Sequence, residues 1–242
     1  MDRASPFSYQ CNQCGLCCRN KVITLSPYDV LRIARAAGVS TGEAVKRYTI
    51  RRGSILRFDK SGACVALDGT RCTIHSGRPL ACRLYPLGIE RDGNGERLVQ
   101  LRPEPGSLGV YGDGGTAGDF LDAQGTRPYL DALDQYRALV VEFRGRVAAT
   151  VDFERIEPRE FWRHAVAEAL MEANYDPNPL IDAIFDPDSL GCPRNDEQAT
   201  ITAHIDRLRK MAATATDPDL MGAAAVMLAV SVGFSPGEVI SS

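Results

Sequence analysis

The chain has 242 residues, of which 44% are hydrophobic and 24% charged, and its formal net charge is -3 at pH 7. A chain of this length can bury a hydrophobic core without disulfide staples. The nearly balanced charge argues against a nucleic-acid-binding surface. The start, MDRASPFSYQ, lacks the apolar segment of a secretory signal, and the apolar stretch 221–234 is too short to cross a bilayer. We therefore expect a cytoplasmic protein that contacts neither nucleic acid nor membrane.

Two helices are predicted near the N-terminus. The first covers 26–38, with Ser26 as the N-cap, Pro27 at the first helical position and Gly38 at the end. The second is expected to be capped by Thr41 and to continue through Ile50.

The middle of the chain is predicted to contain a β-hairpin and then a loop before the C-terminal helices begin. Short alternating runs on either side of a DGNG turn predict a β-hairpin over 87–101. The Gly- and Pro-rich stretch 102–118 predicts a loop. Beyond it, repeated 3.6-residue periodicity predicts a helical bundle whose apolar segment 221–234 is a buried helix.

The predicted fold is thus mainly α with a small β-hairpin. We expect a cysteine-rich, metal-binding module at 1–116 that packs on a C-terminal helical bundle at 117–242, the two forming one unit.

The cysteines are the main functional signal, because seven of the eight lie within the first 82 residues of the chain. In reducing cytosol such clusters indicate metal or redox chemistry more than disulfides. The C-x2-C spacing directs two thiolates at one metal, and Gly15 suits a tight turn with positive φ. The predicted metal ligands are Cys11, Cys14, Cys17, Cys18, Cys64, Cys72 and Cys82.

The number of metal centres is open at this stage. The neighbouring side chains of Cys17 and Cys18 diverge in any regular backbone, so they could serve different centres. Seven thiols are one short of two four-ligand sites, and either His75 or Cys192 could supply the eighth ligand. Alternatively, there is one centre and some thiols do not bind it.

An iron–sulfur cluster is preferred over zinc, because C-x2-C-x2-C with remote cysteines is closer to cluster ligation than to paired zinc knuckles. Both kinds of centre carry negative charge, which nearby cations can offset. The cations that flank cysteines are Arg19, Lys21, Arg71, Arg78 and Arg83.

Three segments together resemble a known family: CNQCGLCC, GACVALDGTRCTIHSGRPLACRLYPL and GVYGDGGTAGDFL. They are similar to the YkgJ-type cysteine-cluster family, a zinc- or iron-chelating CxxCxxCC domain, over roughly residues 8–120. The resemblance implies metal binding by the cysteines. Many relatives carry a further cysteine in a CPG motif, where this chain has Pro105, Gly106 and Ser107. The cysteines alone also resemble those of flagellin lysine-N-methylases, which use S-adenosylmethionine.

Other motifs carry less weight. The C-x3-C-x2-C spacing of radical S-adenosylmethionine enzymes does not occur, and the run GDGGTAG lacks the strand and helix of a nucleotide-binding loop. His164 and His204 lie in helical patterns and are expected to be surface or packing residues. The sequence therefore favours a metal-binding protein. The alternatives are a metal-dependent enzyme, such as a protein lysine N-methylase, and a structural zinc module.

Overall fold

The computed structural model describes residues 1–92, 95–170 and 177–241. In these ranges the helices are α1 (Pro27–Ala37), α2 (Thr41–Tyr48), α3 (Leu80–Leu84), α4 (Ala117–Ala123), α5 (Arg127–Thr150), α6 (Pro158–Leu170), α7 (Pro179–Phe185), α8 (Glu197–Thr214), α9 (Pro218–Ser231) and α10 (Pro236–Ser241). The strands are β1 (Pro6–Gln10), β2 (Thr49–Ile50), β3 (Ile55–Leu56), β4 (Leu67–Asp68), β5 (Arg71–Cys72), β6 (Leu87–Asp92), β7 (Gly95–Gln100) and β8 (Val110–Thr116). The strands pair two by two and antiparallel, so the prediction of a mainly α fold with small β-hairpins is confirmed.

Helix α1 begins and ends where the sequence predicts. The Ser26 hydroxyl accepts a hydrogen bond from the Asp29 N–H at 3.1 Å, and the Asp29 carboxylate accepts one from the Ser26 N–H at 2.8 Å. This reciprocal pair is a capping box, which satisfies N–H groups that the first helical turn leaves open. Pro27 occupies the first turn, and Gly38 ends the helix with a φ of 67°.

Helix α2 departs from the prediction at both ends. Its N-cap is Ser40, whose hydroxyl accepts a hydrogen bond from the first turn, so the prediction that Thr41 caps it is wrong. Thr41 is instead the first helical residue, and its hydroxyl donates to the Asp186 carboxylate at 2.6 Å. The helix ends at Tyr48 because the β-branched pair that follows enters strand β2 and does not extend the helix to Ile50.

The predicted hairpin over 87–101 is present. Strands β6 and β7 pair with Leu87 opposite Gln100 and Ile89 opposite Leu98. Residues 93 and 94 of the predicted DGNG turn lie outside the described residues.

The prediction of a loop over 102–118 is wrong for Ala117 and Gly118, which begin α4, and for residues 110–116. These residues form β8, which pairs with β1 so that Gln10 lies opposite Val110 and Ser8 opposite Gly112. Glycines lower the intrinsic strand propensity of this segment, but its partner strand supplies the backbone hydrogen bonds that hold it extended.

The helices pack mainly around one large hydrophobic core. It combines side chains of α1, such as Ile33, with side chains of the C-terminal helices, such as Phe143 and Phe185. The apolar segment predicted at 221–234 lies largely in α9, most of whose residues are buried. A second, smaller core packs Phe7, Leu87 and Phe120 beneath the paired strands β1 and β8 and the β6–β7 hairpin.

Charged contacts also connect α1 with the C-terminal half. Arg35 pairs with Asp188 at 3.1 Å, and Arg32 pairs with Glu197 at 2.6 Å. The Tyr28 hydroxyl donates to the same Glu197 carboxylate at 2.6 Å. The division of the chain at 116 stays a prediction, but these contacts join its two sides directly.

Among the helices of the described residues, none combines the length and the apolar character that a bilayer crossing requires.

The buried capping box of α1 is expected to contribute more stability than the exposed one of α4. Asp29 also accepts a hydrogen bond from the Leu80 N–H at 2.7 Å, whereas Asp119 is exposed and serves only its own cap with Thr116. Asp29→Ala should therefore lower the free energy of unfolding by about 2–4 kcal/mol, and Asp119→Ala by about 1 kcal/mol. Urea unfolding of both variants checks this, and equal losses would contradict the proposed link between α1 and α3.

Candidate metal centre

The first cysteine group lies in a tight turn after β1. Gly15 is buried with a φ of 75°, and a single turn of 3-10 helix covers Leu16–Cys18. The Cys18 N–H donates to the Gly15 carbonyl at 3.2 Å. The φ of Gly15 confirms the positive value predicted there. A residue with a side chain rarely adopts this conformation, so the turn favours glycine at this position.

The adjacent cysteines of this turn do not diverge as expected. The sulfur atoms of Cys17 and Cys18 lie 4.0 Å apart. The expectation was derived from regular backbone, and it fails because the 3-10 turn is only three residues long and both side chains face the same cavity.

Backbone contacts bring Cys64 to this turn. The Cys64 N–H donates to the Cys18 carbonyl at 2.9 Å, and the Asn20 N–H donates to the Gly62 carbonyl at 2.8 Å. An antiparallel bridge between Arg19 and Ala63 lies between the two bonds. Two segments far apart in sequence are thereby fixed side by side.

The remaining two predicted ligands lie on short elements. Cys72 is in β5, opposite Leu67 of β4. Cys82 is in α3, whose first turn is fixed by the bond from the Leu80 N–H to the buried Asp29 carboxylate. Helix α1 therefore positions Cys82 through its own capping residue.

These elements surround a cavity of about 820 Å³. Six of the predicted ligands line it, namely Cys11, Cys17, Cys18, Cys64, Cys72 and Cys82, and His75 lines it as well. Cys14 is not among the lining residues. Cys192 is buried elsewhere, with its N–H bonded to the Pro187 carbonyl, so the structure brings His75 but not Cys192 to the cavity.

The thiols form a loose group. Within the described ranges, no set of three or more His, Cys, Asp or Glu side chains is gathered tightly enough to hold a metal ion as it stands. The donor chemistry nevertheless fits a soft metal, because six thiols line the cavity and soft thiolates select zinc, copper(I) or iron–sulfur clusters.

Burial and proximity raise the pKa of several thiols. Burial raises the pKa of Cys64 and of Cys72. For Cys82, burial is the largest cause, and the neighbouring thiols of Cys64, Cys72 and Cys17 raise its pKa further. The contact with Cys18 raises the pKa of Cys17. A metal would have to displace protons from these groups, which couples binding to pH.

Two of the five flanking cations, Arg78 and Arg83, lie next to each other, and Arg78 lines the cavity. Arg83 is 8% exposed and donates to the carbonyls of Ser76 and Gln124, each at 2.6 Å. Arg78 lines the cavity and donates to the His75 carbonyl at 2.8 Å and to the Gln124 side chain at 2.7 Å. Burial and the adjacent Arg83 lower the pKa of Arg78, and the Cys72 and Cys82 thiols oppose that effect.

The other predicted flanking cations are placed differently. Lys21 lines the cavity and forms an ion pair with Glu104. Arg19 forms the backbone bridge to Ala63, and Arg71 is exposed on β5.

Several lining residues were not identified from the sequence. Gln124 at the end of α4, Tyr85 after α3 and Tyr9 on β1 all contribute to the cavity. Tyr9 packs edge-to-face against Tyr85, with ring centroids 5.9 Å apart. No motif marks these residues, because only the folded chain brings them next to the cysteines.

The two helical histidines lie away from this cavity. His204 is fully buried, with Nδ1 2.6 Å from the Tyr136 hydroxyl and Nε2 2.9 Å from the Ala183 carbonyl, and burial lowers its pKa to about 4. His164 is exposed beside Glu168. His204 is thus a packing residue and His164 a surface residue, as the helical pattern predicts.

A comparison with protein families finds a match to the cysteine-bearing segment. The model of the CxxCxxCC family, described as a "putative zinc- or iron-chelating domain", matches residues 10–99. Residues 10–99 match the CxxCxxCC family. The match includes all seven predicted ligands and excludes Cys192, and it confirms the resemblance found in the sequence.

One relative is an uncharacterized protein of Methanocaldococcus jannaschii, 33% identical over 88 residues. The similarity covers 35% of this chain and 47% of the relative, so the chain matches about half the length of that protein. No solved structure matches the chain. The family match therefore supports metal chelation by the cysteine-bearing segment, and the C-terminal helices lie outside the range that it covers.

The burial of the thiols predicts their order of modification. In metal-free protein under native conditions, the exposed Cys11 should react with N-ethylmaleimide at least tenfold faster than Cys64 or Cys192, which are at most 9% exposed. Timed quenching followed by peptide mass spectrometry measures each rate. Modification of Cys192 as rapidly as Cys11 would contradict the described packing.

Proposed function

We propose that this protein is a cytoplasmic metal-binding protein whose clustered cysteines hold an iron–sulfur cluster or zinc. The observation that carries the proposal is that six cysteines, from four separate segments of the chain, line one cavity. The family match supports the coarser statement, because it describes the same segment as zinc- or iron-chelating.

Cys17, Cys64, Cys72 and Cys82 are the proposed core of the ligand set. Cys82 lies within electrostatic range of the other three thiols, and Cys72 lies within range of Cys17. Cys11, Cys14 and Cys18 belong to the same turn as Cys17 and remain proposed ligands that complete this centre or a second one. Four thiolates satisfy either a tetrahedral zinc ion or a four-iron cluster.

The iron–sulfur cluster is the preferred occupant. The C-x2-C-x2-C run is typical of cluster ligation, and a thiolate-bound cluster carries negative charge that cations can offset. Arg78 provides a positive charge within electrostatic range of Cys72 and Cys82, and Arg83 provides a second one next to Arg78. Bound in this way, the cluster would supply one-electron chemistry, and this chain's residues would hold it, limit its contact with water and offset its charge.

The decisive measurement for the metal is an absorption spectrum of anaerobically purified protein, combined with analysis for iron, sulfide and zinc. An iron–sulfur cluster should give a brown protein with broad visible absorption and comparable iron and sulfide contents. A colourless protein loaded with zinc would reject the cluster but keep the metal site. A protein without either metal, even after reconstitution, would reject the proposed function.

Cysteine variants test the ligand set. Cys82→Ser and Cys72→Ser should lower the metal content to less than half and lower the melting temperature, because free energy of metal binding contributes directly to folding. Cys192→Ala is the control, since this cysteine is buried outside the cavity and should leave the metal content unchanged. Unchanged metal content in both Ser variants would contradict the ligand assignment.

The cavity also favours a second candidate function. A closed structural zinc site needs no adjoining cavity, whereas an enzyme needs space for a substrate. A metal-dependent enzyme such as a protein lysine N-methylase is therefore the alternative. It predicts that metal-loaded protein binds S-adenosylmethionine in isothermal titration calorimetry. Absence of binding at millimolar concentration would reject the methylase.

A further inference from the structure

The cavity beside the cysteines is larger than a metal centre needs. Cavities that bind small organic molecules measure roughly 300–1,000 Å³, and this one measures about 820 Å³. A single ion or a small cluster fills only a minor part of such a volume. The remaining space extends from the cysteines toward α4 and the β6–β7 hairpin, which contribute Gln124 and Gly88 to the wall.

Part of the cavity wall, beginning next to Cys11 and Cys17, is apolar and aromatic. Tyr9, Tyr85 and Phe120 line it together with Leu84 and Leu87. Tyr9 and Phe120 are also in edge-to-face contact, with ring centroids 6.4 Å apart. Val22 and Leu101 lie at the solvent side of the cavity, where they are 80% and 43% exposed. Such a wall suits the apolar body of an organic molecule.

The cations of the cavity differ in whether a carboxylate neutralises them. Lys21 is neutralised by Glu104. Among the described residues, no carboxylate pairs with Arg78, whereas Arg83 acts electrostatically on the buried Asp29 carboxylate. The donors of Arg83 point to backbone carbonyls, whereas Arg78 lines the cavity next to Gln124. A planar guanidinium with donors left over is the usual partner of a carboxylate, sulfonate or phosphate group.

We propose that this cavity binds a small organic anion, with its charged group at Arg78 and Gln124 and its apolar body against Tyr9, Tyr85 and Phe120. The proposal rests on the proposed function, because it places the ligand beside the cysteine-held metal. It extends that function by assigning the class of molecule that approaches the centre.

A pair of fluorescent probes tests the ligand class in metal-loaded protein. Anilinonaphthalene sulfonate carries the anion, and phenylnaphthylamine has the same rings without it. Wild-type protein should bind the sulfonate at least tenfold more tightly. Arg78→Gln should remove this preference without weakening binding of the neutral probe, and Arg78→Lys should restore part of it. Equal affinity of wild-type protein for the two probes, or an unchanged preference in Arg78→Gln, would overturn the proposal.

A second pair of variants tests the location. Ala123 is an exposed residue that lines the cavity, so Ala123→Trp should fill its opening and weaken both probes at least tenfold. Ala148→Trp, at an exposed position of α5 outside the cavity wall, is the matched control and should change neither affinity. Unchanged affinities in Ala123→Trp would place the probes elsewhere and overturn the proposal.

Metal content measured on the same samples separates the two proposals. Retained metal without probe binding rejects the organic ligand and leaves metal binding intact. Probe binding with the expected preference in a protein that never holds metal rejects the proposed function and keeps the anion site.

Discussion

The cysteine site depends on the antiparallel contact between residues 18–20 and 62–64. Thiols from distant segments can share a site only if the backbone fixes the distance between those segments. Here two backbone hydrogen bonds and the bridge from Arg19 to Ala63 do so, which places Cys64 next to the Cys17–Cys18 turn. Each bond contributes about 1 kcal/mol, so the contact is modest by itself and needs support from its surroundings.

That support comes from helix α1. Asp29, the carboxylate of its capping box, is buried and accepts a hydrogen bond from the first turn of α3, which carries Cys82. The opposite face of α1 is part of the large core shared with the C-terminal helices, and its arginines pair with Asp188 and Glu197. Packing of the helical half therefore reaches the cysteines through α1 and Asp29, and also through α5, where the Tyr129 hydroxyl donates to the Arg78 carbonyl at 3.1 Å.

Local sequence chemistry predicts the elements but not their long-range pairing. Helix α1 has a cap, a proline and a terminal glycine within its own segment, and the β6–β7 hairpin is likewise local, so both were predicted correctly. Strand β8 was predicted as a loop, because its glycines mask a strand that exists only through pairing with β1. The prediction of Thr41 as the cap fails because Ser40 and Thr41 are both good capping residues and only the contact with Asp186 separates their roles.

The candidate site shows the same limit. The cysteine spacing indicates the donors, since C-x2-C is a local pattern whose two thiolates can bind one metal. The cavity could not be anticipated, because Tyr9, Tyr85 and Gln124 carry no motif and meet only after folding. The closeness of the Cys17 and Cys18 sulfurs was also missed, because it depends on a three-residue turn that follows Gly15.

The two sides of the cavity differ in how firmly they are built. The cysteine side rests on two-residue strands and single turns, and isolated hairpins of this size are marginal in water. The aromatic part of the wall rests on α4 and on the β6–β7 hairpin, whose strands have six residues each. These elements pack on their own apolar core. A metal held by the thiols would therefore stabilise the weaker side. Since both sides bound the same space, metal binding would also fix the shape of the cavity that an organic anion enters.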